Sequence, residues 1–358
     1  MSHFNTTVII ERGFSYSPED IQDELESRMA PFQENNMGNC PREFMEFNDV
    51  EDDYLKEYET EGREMVVMPD KRLLLPWDDE FKREPTKEEL EKDPLLKLGG
   101  IKEVPTNLEK RMVPFKESYV TFEEFVKDWH GKEKRDETYN RYGYWENPNA
   151  KWDWWEVGGR WAGFFKLKPG HTGGLGKQYN WGDGIKESKD RADIAFKKAI
   201  DWEFMRKECV DRALLRYTMV EQAIKGTPEA ASWEMIRSEF DLKKNGEIEK
   251  AREKYHSQPR VEAFRKATTS EQGMELFGFF SSVEDYQISK EQYLANARNH
   301  AGVPFALIKD GKWYEQGRMG WWGVVSDEKD PETWNSMVSK LMDELPDDTL
   351  LVNCDCHI

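Results

Sequence analysis

The sequence contains no long hydrophobic run. It has no stretch of about 18 consecutive apolar residues, which is the length that a membrane-spanning helix requires. The opening Met1-Ser-His-Phe4 also lacks the basic start and the apolar stretch of a secretory signal peptide. We therefore expect a cytoplasmic protein without a membrane partner.

Cysteine is scarce, and its spacing matches neither a disulfide framework nor a zinc site. Cys354 and Cys356 lie two residues apart in a predicted strand, so both thiols should point to the same buried side. We interpret this pair as packing residues. We expect all four cysteines to be reduced, as in the cytosol; they are Cys40, Cys209, Cys354 and Cys356.

Positive charge is outweighed, because 52 Lys and Arg stand against 71 Asp and Glu and the net charge is −19. General binding of nucleic acid requires many basic side chains that neutralise phosphates, so the composition excludes that class of protein. A local basic pocket, a basic protein partner or imitation of a nucleic acid stays open. The acidic stretch 46–64 could imitate phosphate spacing, although most such stretches are solvated faces.

Common catalytic motifs are also missing. The sequence has no Gly-x-Ser-x-Gly, no His-Glu-x-x-His and no dinucleotide-binding fingerprint. The glycine-rich segment 170–178 is not a phosphate-binding loop of the usual type, because Gln178 replaces the Ser or Thr that would hold magnesium. We interpret the segment as a mobile loop over a pocket, where His171 and Lys177 could contact a bound anion.

Aromatic residues, in contrast, are plentiful, with 14 Trp in a chain that is only 37% hydrophobic. Large rings bury much surface per residue, so a packed core is feasible despite the polarity. Five of the tryptophans lie between Tyr144 and Trp161, and a second aromatic cluster lies between Trp313 and Gly323.

These two segments predict a pocket for a planar anion. Flat rings stack on planar groups, and an arginine beside them pairs with phosphate or carboxylate. The alternative is that alternate tryptophans are core residues and that Arg160 pairs with a carboxylate such as Asp153. In a hairpin with one buried face, however, Trp152, Trp154 and Trp155 cannot all share that face. The expected ligand-binding residues are Trp154, Trp155, Arg160, Trp161, His171, Lys177, Arg318, Trp321 and Trp322.

The order of elements predicts an α+β fold. Alternating β-branched residues indicate strands over 3–11 and 349–358. Thr121 followed by Glu124 is typical of a helix start. The further predicted elements are an edge strand over 64–69, a hairpin around Gly158-Gly159 within 152–168, a hairpin on Asp310-Gly311, and helices over 185–225, 228–255, 288–301 and 331–345.

First and last strands that are both central are typical of split β-α-β sheets, so we predict a ferredoxin-like antiparallel sheet core. Residues 1–16 and 104–184 should form its first part, and residues 283–358 its second part. An acidic, irregular insertion over 17–103 and a helical arm over 185–282 should interrupt it. The arm is also a surface through which a homo-oligomer could form.

The two terminal strands point to a catalytic site. If they pair antiparallel, His3 lies beside Asp355 and His357 on a polar face. Two histidines and one aspartate could ligate a divalent metal ion, or could act as acid, base and orienting group. The alternative is a solvated sheet end where a histidine is simply exposed. Beyond this metal ion, the sequence names no cofactor.

Several segments resemble a family of phage and prophage proteins. These segments are Met1-Ser-His-Phe4, Asn147-Pro-Asn-Ala-Lys-Trp-Asp-Trp-Trp155, Gly158-Gly-Arg-Trp161, Met319-Gly-Trp-Trp-Gly323 and Asp355-Cys-His-Ile358. The acidic insertion and the helical arm take no part in the resemblance. The family has no established activity, so the resemblance implies a phage context, with an accessory or counter-defence role in the host bacterial cytoplasm.

Two functions follow as expectations. The first is a phage accessory protein that binds, and possibly hydrolyses, a nucleotide-derived or other planar anionic molecule; as an enzyme it would be a hydrolase of a nucleotide-type phosphoester. Hydrolysis requires that His3, Asp355 and His357 converge on the aromatic pocket. The alternative is an acidic inhibitor without catalytic activity, which binds a host defence protein through the acidic insertion and the helical arm.

Overall fold

The computed structural model describes residues 2–11, 17–93, 96, 101–178, 190–241, 243–244, 246–277 and 281–358. The described residues form both helices and strands, so the predicted α+β class is confirmed. The chain divides into two compact units: unit 1 consists of residues 1–40 and 149–358, and unit 2 of residues 41–148. None of the described helices is long and apolar enough to cross a membrane.

The described strands, in chain order, are β1 (His3–Ile10), β2 (Glu46–Asp49), β3 (Gly62–Val67), β4 (Leu73–Leu74), β5 (Lys82–Arg83), β6 (Ile101–Lys102), β7 (Glu109–Pro114), β8 (Gly143–Glu146), β9 (Trp154–Gly159), β10 (Phe165–Lys166), β11 (Lys177–Gln178), β12 (Arg191–Ala192), β13 (Ile194–Phe196), β14 (Ala306–Lys309), β15 (Lys312–Glu315), β16 (Arg318–Met319), β17 (Val325–Ser326) and β18 (Leu350–His357). The α-helices are α1 (Pro18–Met29), α2 (Glu51–Thr60), α3 (Lys87–Lys92), α4 (Phe115–Ser118), α5 (Phe122–His130), α6 (Trp202–Ile224), α7 (Trp233–Ser238), α8 (Glu247–His256), α9 (Pro259–Thr268), α10 (Glu271–Phe277), α11 (Lys290–His300) and α12 (Pro331–Glu344).

The central sheet of unit 1 has the strand order β11-β9-β18-β1-β14-β15, and β13 also pairs with β18. β1 pairs antiparallel with β18 over its whole length, from His3 opposite His357 to Ile10 opposite Leu350. The predictions that the first and last strands are central and that they pair with each other are therefore confirmed. Opposite residues in this register project from the same face of the sheet.

The sheet is mixed, so the prediction of an antiparallel sheet is wrong, and a ferredoxin-like core is not confirmed. β1 runs parallel to β14, and β9 runs parallel to β11. Parallel neighbours need a long connection, which the chain between β1 and β14 supplies. Alternation of apolar residues indicates which face a side chain occupies, but it does not specify the direction of the neighbouring strand.

The predicted hairpin around Gly158-Gly159 is wrong. β9 ends at these glycines but pairs with β18 and β11, whereas β10 pairs with β12. Both glycines have positive φ, 80° and 59°, and in this respect they do resemble a hairpin turn. The other predicted hairpin is confirmed: β14 and β15 are joined by Asp310-Gly311, with φ of 52° and 68°.

Both faces of the central sheet are covered. On one face Ile9 and Leu351 pack with Trp334 of α12. On the other face Val8 packs in one cluster with Leu25 of α1. α1 is therefore part of unit 1, and the separate unit 2 begins after it and extends to residue 148, whereas the sequence predicted an insertion over 17–103.

The long helix of the arm begins later than predicted. α6 starts at Trp202, after residues 191–196 have formed the short strands β12 and β13. Asp201 caps α6 by accepting a hydrogen bond from the N–H of Phe204. Residues 185–189 lie outside the described ranges. The helix predicted next is divided into α7 and α8, and the last two predicted helices are confirmed as α11 and α12.

Unit 2 has a core of its own, built around α5. Thr121 and Glu124 form the predicted capping box at the start of this helix. Phe125 and Val126 of α5 are fully buried and lie in one cluster with Phe115. β3 pairs with both β4 and β7, so the predicted edge strand is an inner strand.

The packing of α12 gives a stability prediction. Trp334 is 1% exposed, and its Nε1 donates to the carbonyl of Pro304 at 3.0 Å. Trp334→Ala should lower the free energy of unfolding by about 3–5 kcal/mol, because it opens a cavity in the core. Met337→Ala, on the same helix at a side chain that is 45% exposed, should change it by less than about 0.5 kcal/mol. Denaturant titration measures both; equal losses would contradict the described packing.

Candidate functional site

The candidate site lies where the first and last strands of unit 1 meet. His3 is directly opposite His357, and Asn5 is directly opposite Asp355. β9 continues this row of side chains on the other side of β18, where Trp154 is opposite His357. The sheet register alone therefore brings His3, Asp355 and His357 together with one of the expected ligand-binding tryptophans.

The first histidine is held by a fully buried carboxylate. Nδ1 of His3 lies 2.8 Å from Oδ1 of Asp355, whose side chain has no solvent exposure. The other carboxylate oxygen, Oδ2, accepts a hydrogen bond of 2.9 Å from the backbone N–H of Arg160. Both oxygens of Asp355 thus have partners, so the carboxylate is fixed and orients the imidazole.

The second histidine has a carboxylate of its own. Nδ1 of His357 lies 2.5 Å from Oδ1 of Asp153. Oδ2 of Asp153 accepts a hydrogen bond of 3.3 Å from the side-chain amide of Asn36. The sequence analysis named Asp153 only as an alternative partner of Arg160, and its role beside His357 was missed.

The two imidazoles contact each other and share one aromatic neighbour. Their ring centroids are 4.9 Å apart, with the planes at 70°. Trp154 stacks on His357 at 5.2 Å with an angle of 15° between the planes, and it meets His3 edge-on at the same distance. Trp154 thus supports both rings from one side, and 37% of its own surface remains exposed.

The outer nitrogen of each imidazole remains available for chemistry. A carboxylate at Nδ1 favours the tautomer with its proton on Nδ1, which leaves the lone pair on Nε2. Neither Nε2 has a hydrogen-bond partner among the described residues, and neither is among their buried polar atoms that lack one. The side chains of His3 and His357 are 9% and 8% exposed, so each Nε2 has only limited contact with solvent.

A third acidic group lies close to the second histidine. Burial and the negative charge of Asp153 raise the pKa of Glu34, while a charge on His357 lowers it. Glu34 lines a small cavity of about 260 Å³ together with Arg318 and Lys151. The expected ligand residue Arg318 is thus in unit 1 near Glu34, and it does not line the larger cavity described below.

The two glycines at the end of β9 lie against two buried carboxylates. At Gly159 a side chain would collide with Asp355, and at Gly158 it would approach Asp193. Asp193 is fully buried and accepts hydrogen bonds from the backbone of Gly163, Phe164 and Gly176. Burial raises the pKa of Asp193, and these backbone hydrogen bonds oppose that rise.

A cavity of about 320 Å³ opens on the same face of the sheet, and neither His3 nor His357 lines it. Asn5 lines it, two residues along β1 from His3 and therefore about 7 Å away. Oδ1 of Asn5 accepts from the backbone N–H of Phe305 at 3.0 Å, whereas its amide NH₂ has no hydrogen-bond partner among the described residues. The remaining lining residues are Trp161, Phe164, His300, Val303, Pro304, Phe305, Gln316 and Asn335.

The structure separates the expected ligand-binding tryptophans. Trp161 lines the cavity, and Trp154 contacts the histidines. Trp155 points to the opposite face, where it packs against the cluster that contains Phe4. Trp154 and Trp155 therefore cannot share one pocket. Trp322 is 82% exposed at the turn after β16, and the side chain of Trp321 lies outside the described part of the structure.

The structure also shows the positions of the expected basic residues Arg160, Lys177 and His171. Arg160 has an exposed side chain, and its backbone N–H is bound to Asp355. Lys177 forms an ion pair with Glu156 at 3.2 Å. His171 is exposed, in a segment that leads to β11. Of these residues, Arg160 is linked to the histidine pair, because its backbone N–H is bound to Asp355, the partner of His3.

The expected metal site is not supported. Within the described ranges, no group of three or more His, Cys, Asp or Glu side chains is arranged to hold a metal ion. Asp355 uses both oxygens for hydrogen bonds to His3 and Arg160 instead. Of the three residues that were expected as ligands, His3 and Asp355 are hydrogen-bonded to each other, and His357 is hydrogen-bonded to Asp153.

The sequence did not predict several residues of the site. Asp153 lies in the predicted hairpin over 152–168, but that hairpin was not expected to pair with the last strand, and Glu34 lies outside the predicted strands. Asn5 shares a face with His3 through the alternation of β1, and the cavity beside it has no signal in the sequence. His300 and Asn335 come from two distant helices, and no sequence spacing links them to β1.

The close approach of Gly159 to Asp355 gives a second prediction. Gly159→Ala should break the hydrogen bond between Asp355 and the N–H of Arg160, in addition to straining a residue with positive φ. Gly170→Ala is the matched control, because Gly170 also has positive φ but has open space around it. We expect Gly159→Ala to cost about 1–3 kcal/mol more unfolding free energy than the control. Equal costs in denaturant titration would contradict the contact.

The pKa of Glu34 gives a third prediction. Because this pKa is raised in the folded protein, the contribution of Glu34 to stability is present at low pH and is lost as the pH rises through the folded-state value. Glu34→Gln has no such titration, so its stability relative to the natural protein should rise between about pH 4 and pH 7. Unfolding free energies across that range measure it, with exposed Glu229→Gln as the charge control. A constant difference would contradict the prediction.

The comparisons with known proteins identify no relative. No protein-family model matches the chain, and no match was found among curated proteins or among solved structures.

Proposed function

We propose that the protein binds a small planar phosphoester of the nucleotide type beside the histidine pair and cleaves it by general acid–base catalysis. The observation that carries this proposal is the pair of adjacent histidines, each with its Nδ1 fixed by its own carboxylate and with no hydrogen bond at Nε2 among the described residues. Two such groups are what cleavage of a phosphoester needs, because one proton must be removed and another supplied.

The carboxylates give the two histidines their roles. An aspartate at Nδ1 fixes the tautomer and stabilises the imidazolium ion that forms when Nε2 takes a proton. His3 has the buried Asp355, and His357 has the partly exposed Asp153, whose side chain is 17% exposed. In each cycle one histidine acts as the base and the other, already protonated, as the acid.

The cavity supplies groups that suit the ligand. Trp161 offers a ring on which a base can stack, and such stacking contributes about 1–3 kcal/mol per base. The amide NH₂ of Asn5 can donate a hydrogen bond to a phosphoryl oxygen close to His3. The volume of about 320 Å³ is at the lower end of the range for ligand sites, which favours a small molecule.

The overall charge also favours a small ligand. At a net charge of −19 the protein repels a long polyanion, whereas a small anion needs only a few local donors. The side chain of Arg160 is exposed, and the backbone N–H of this residue is bound to Asp355. With the resemblance to phage proteins, the proposal includes a counter-defence role in an infected bacterium.

A second function is favoured by one observation in unit 2. Large apolar side chains there are exposed: Val120 by 88%, Met112 by 64% and Trp77 by 54%. Where exposed apolar residues form one contiguous patch, they are typical of protein-binding surfaces. An acidic inhibitor that binds a host defence protein is therefore the alternative proposal, and it needs no chemistry at the histidine pair.

Chromogenic nucleotide esters test the leading proposal. The substrates are the 4-nitrophenyl esters of the four common ribonucleoside and deoxyribonucleoside 3′-phosphates, offered as a mixture to the full-length protein. We expect release of 4-nitrophenolate, and a loss of kcat of about 10²–10⁴-fold in His3→Asn and in His357→Asn. Met337→Ala, at a surface position of α12, is the control with unchanged rate.

Either of two results would contradict the proposal. Failure of the natural protein to release 4-nitrophenolate from the mixture, or full activity in both histidine variants, would remove the acid–base role. Thermal melting of each variant must accompany the rates, since loss of folding would also abolish turnover.

A further inference from the structure

We infer that a cavity among the helices α7 to α10 binds a small apolar molecule that carries a quaternary ammonium group. The cavity has a volume of about 790 Å³ and is lined mainly by residues of these helices and of the 3₁₀ turn Val283–Tyr286. Its volume lies within the range of small-molecule sites, which is about 300–1,000 Å³. It shares no lining residue with the cavity beside Asn5, so the inference is independent of the proposed function.

Much of the wall of this cavity is apolar. Val261 and Phe264 of α9 line it together with Val283, and all three belong to one hydrophobic cluster in which they are 5% exposed or less. Met274 of α10, which is 41% exposed, adds a flexible apolar side chain. A molecule that fills the cavity must therefore have an apolar body, because contact with these walls removes its surface from water.

A partly buried carboxylate, that of Glu284, also lines the cavity. It accepts hydrogen bonds from the hydroxyl groups of Tyr255 and Ser282, and from the backbone N–H of Trp233 at 3.0 Å. Burial raises the pKa of Glu284, but these hydrogen bonds outweigh burial, so the pKa lies below its usual value. The carboxylate is therefore ionised at neutral pH.

The negative charge of Glu284 has no counter-ion in the described part of the chain. No Lys, Arg or His there forms an ion pair with it. His256 and Arg265 line the cavity as well, but both are exposed, so water and salt screen their positive charge. Glu234, another exposed lining residue, adds negative charge. A partly buried carboxylate without a counter-ion favours a ligand with positive charge.

The hydrogen bonds already made by Glu284 indicate which kind of cation fits. A carboxylate has about four acceptor positions, and Tyr255, Ser282 and Trp233 occupy most of them. A primary ammonium or guanidinium group brings several N–H donors that need acceptors, whereas a quaternary ammonium group brings none. The rings of Trp233 and Tyr255 meet edge-to-face with centroids 5.6 Å apart, and such aromatic groups attract quaternary ammonium ions.

Two ions of similar chain length and opposite charge test the inference. Full-length protein is titrated in a calorimeter, at physiological salt, with octyltrimethylammonium and separately with nonanoate. We expect saturable binding of a single octyltrimethylammonium ion, and binding of nonanoate that is at least about 10-fold weaker. Glu284→Gln should weaken the binding of octyltrimethylammonium at least about 10-fold. Glu229→Gln, which removes a charge at an exposed position outside the cavity, should leave it unchanged.

A second variant tests the aromatic part of the site. Trp233→Leu removes the ring but keeps the backbone N–H that binds Glu284. We expect it to weaken the binding of octyltrimethylammonium about 5-fold, because the cation loses one aromatic face. Thermal melting of each variant shows whether it is folded.

Three results would each overturn the inference: equal affinity for the two ions, unchanged affinity in folded Glu284→Gln, or no saturable binding of octyltrimethylammonium. If Glu284→Gln does not fold, the comparison of the two ions on the natural protein decides together with Trp233→Leu. Sedimentation of the protein with phosphatidylcholine vesicles, without binding of the free ion, would assign the quaternary ammonium group to a membrane lipid. That result would overturn the inference of a small-molecule ligand.

Discussion

The hydrogen bonds of the Asp355 carboxylate are the constraint on which the rest of the site depends. This carboxylate is fully buried between β1 and β9, and its two oxygens are satisfied by Nδ1 of His3 and the N–H of Arg160. A buried, unpaired carboxylate would be costly, so the histidine and the backbone turn are fixed together. Gly159 has no side chain because a Cβ there would occupy the space of Asp355.

The pairing of the first and last strands brings these groups together in the centre of unit 1. Pairing of β1 with β18 places His3 and His357 side by side, and β9 adds Trp154 to the row. The two imidazoles are thereby mounted on strands of the central sheet, which holds their rings in fixed positions. The cavity beside Asn5 is formed by elements that pack on this face.

Much of this arrangement could be predicted from particular residues. Alternation in β1 and β18 predicted which side chains share a face, and turn and capping residues predicted the Asp310-Gly311 hairpin and α5. The pair Gly158-Gly159 led to a wrong hairpin prediction. Both residues have positive φ and lie close to the carboxylates of Asp193 and Asp355, and no hairpin follows them. Strand direction and contacts between distant segments, such as Asp153 with His357, are set by tertiary packing that no local pattern contains.

The proposed function requires that the two Nε2 atoms face one shared position where a phosphate group can bind. A crystal structure of the protein soaked with tungstate, a heavy-atom analogue of phosphate, tests it most directly. The account predicts an ion within hydrogen-bond distance, about 3 Å, of Nε2 of both His3 and His357. Tungstate bound only elsewhere, with both imidazoles in their present hydrogen bonds to Asp355 and Asp153, would contradict the account.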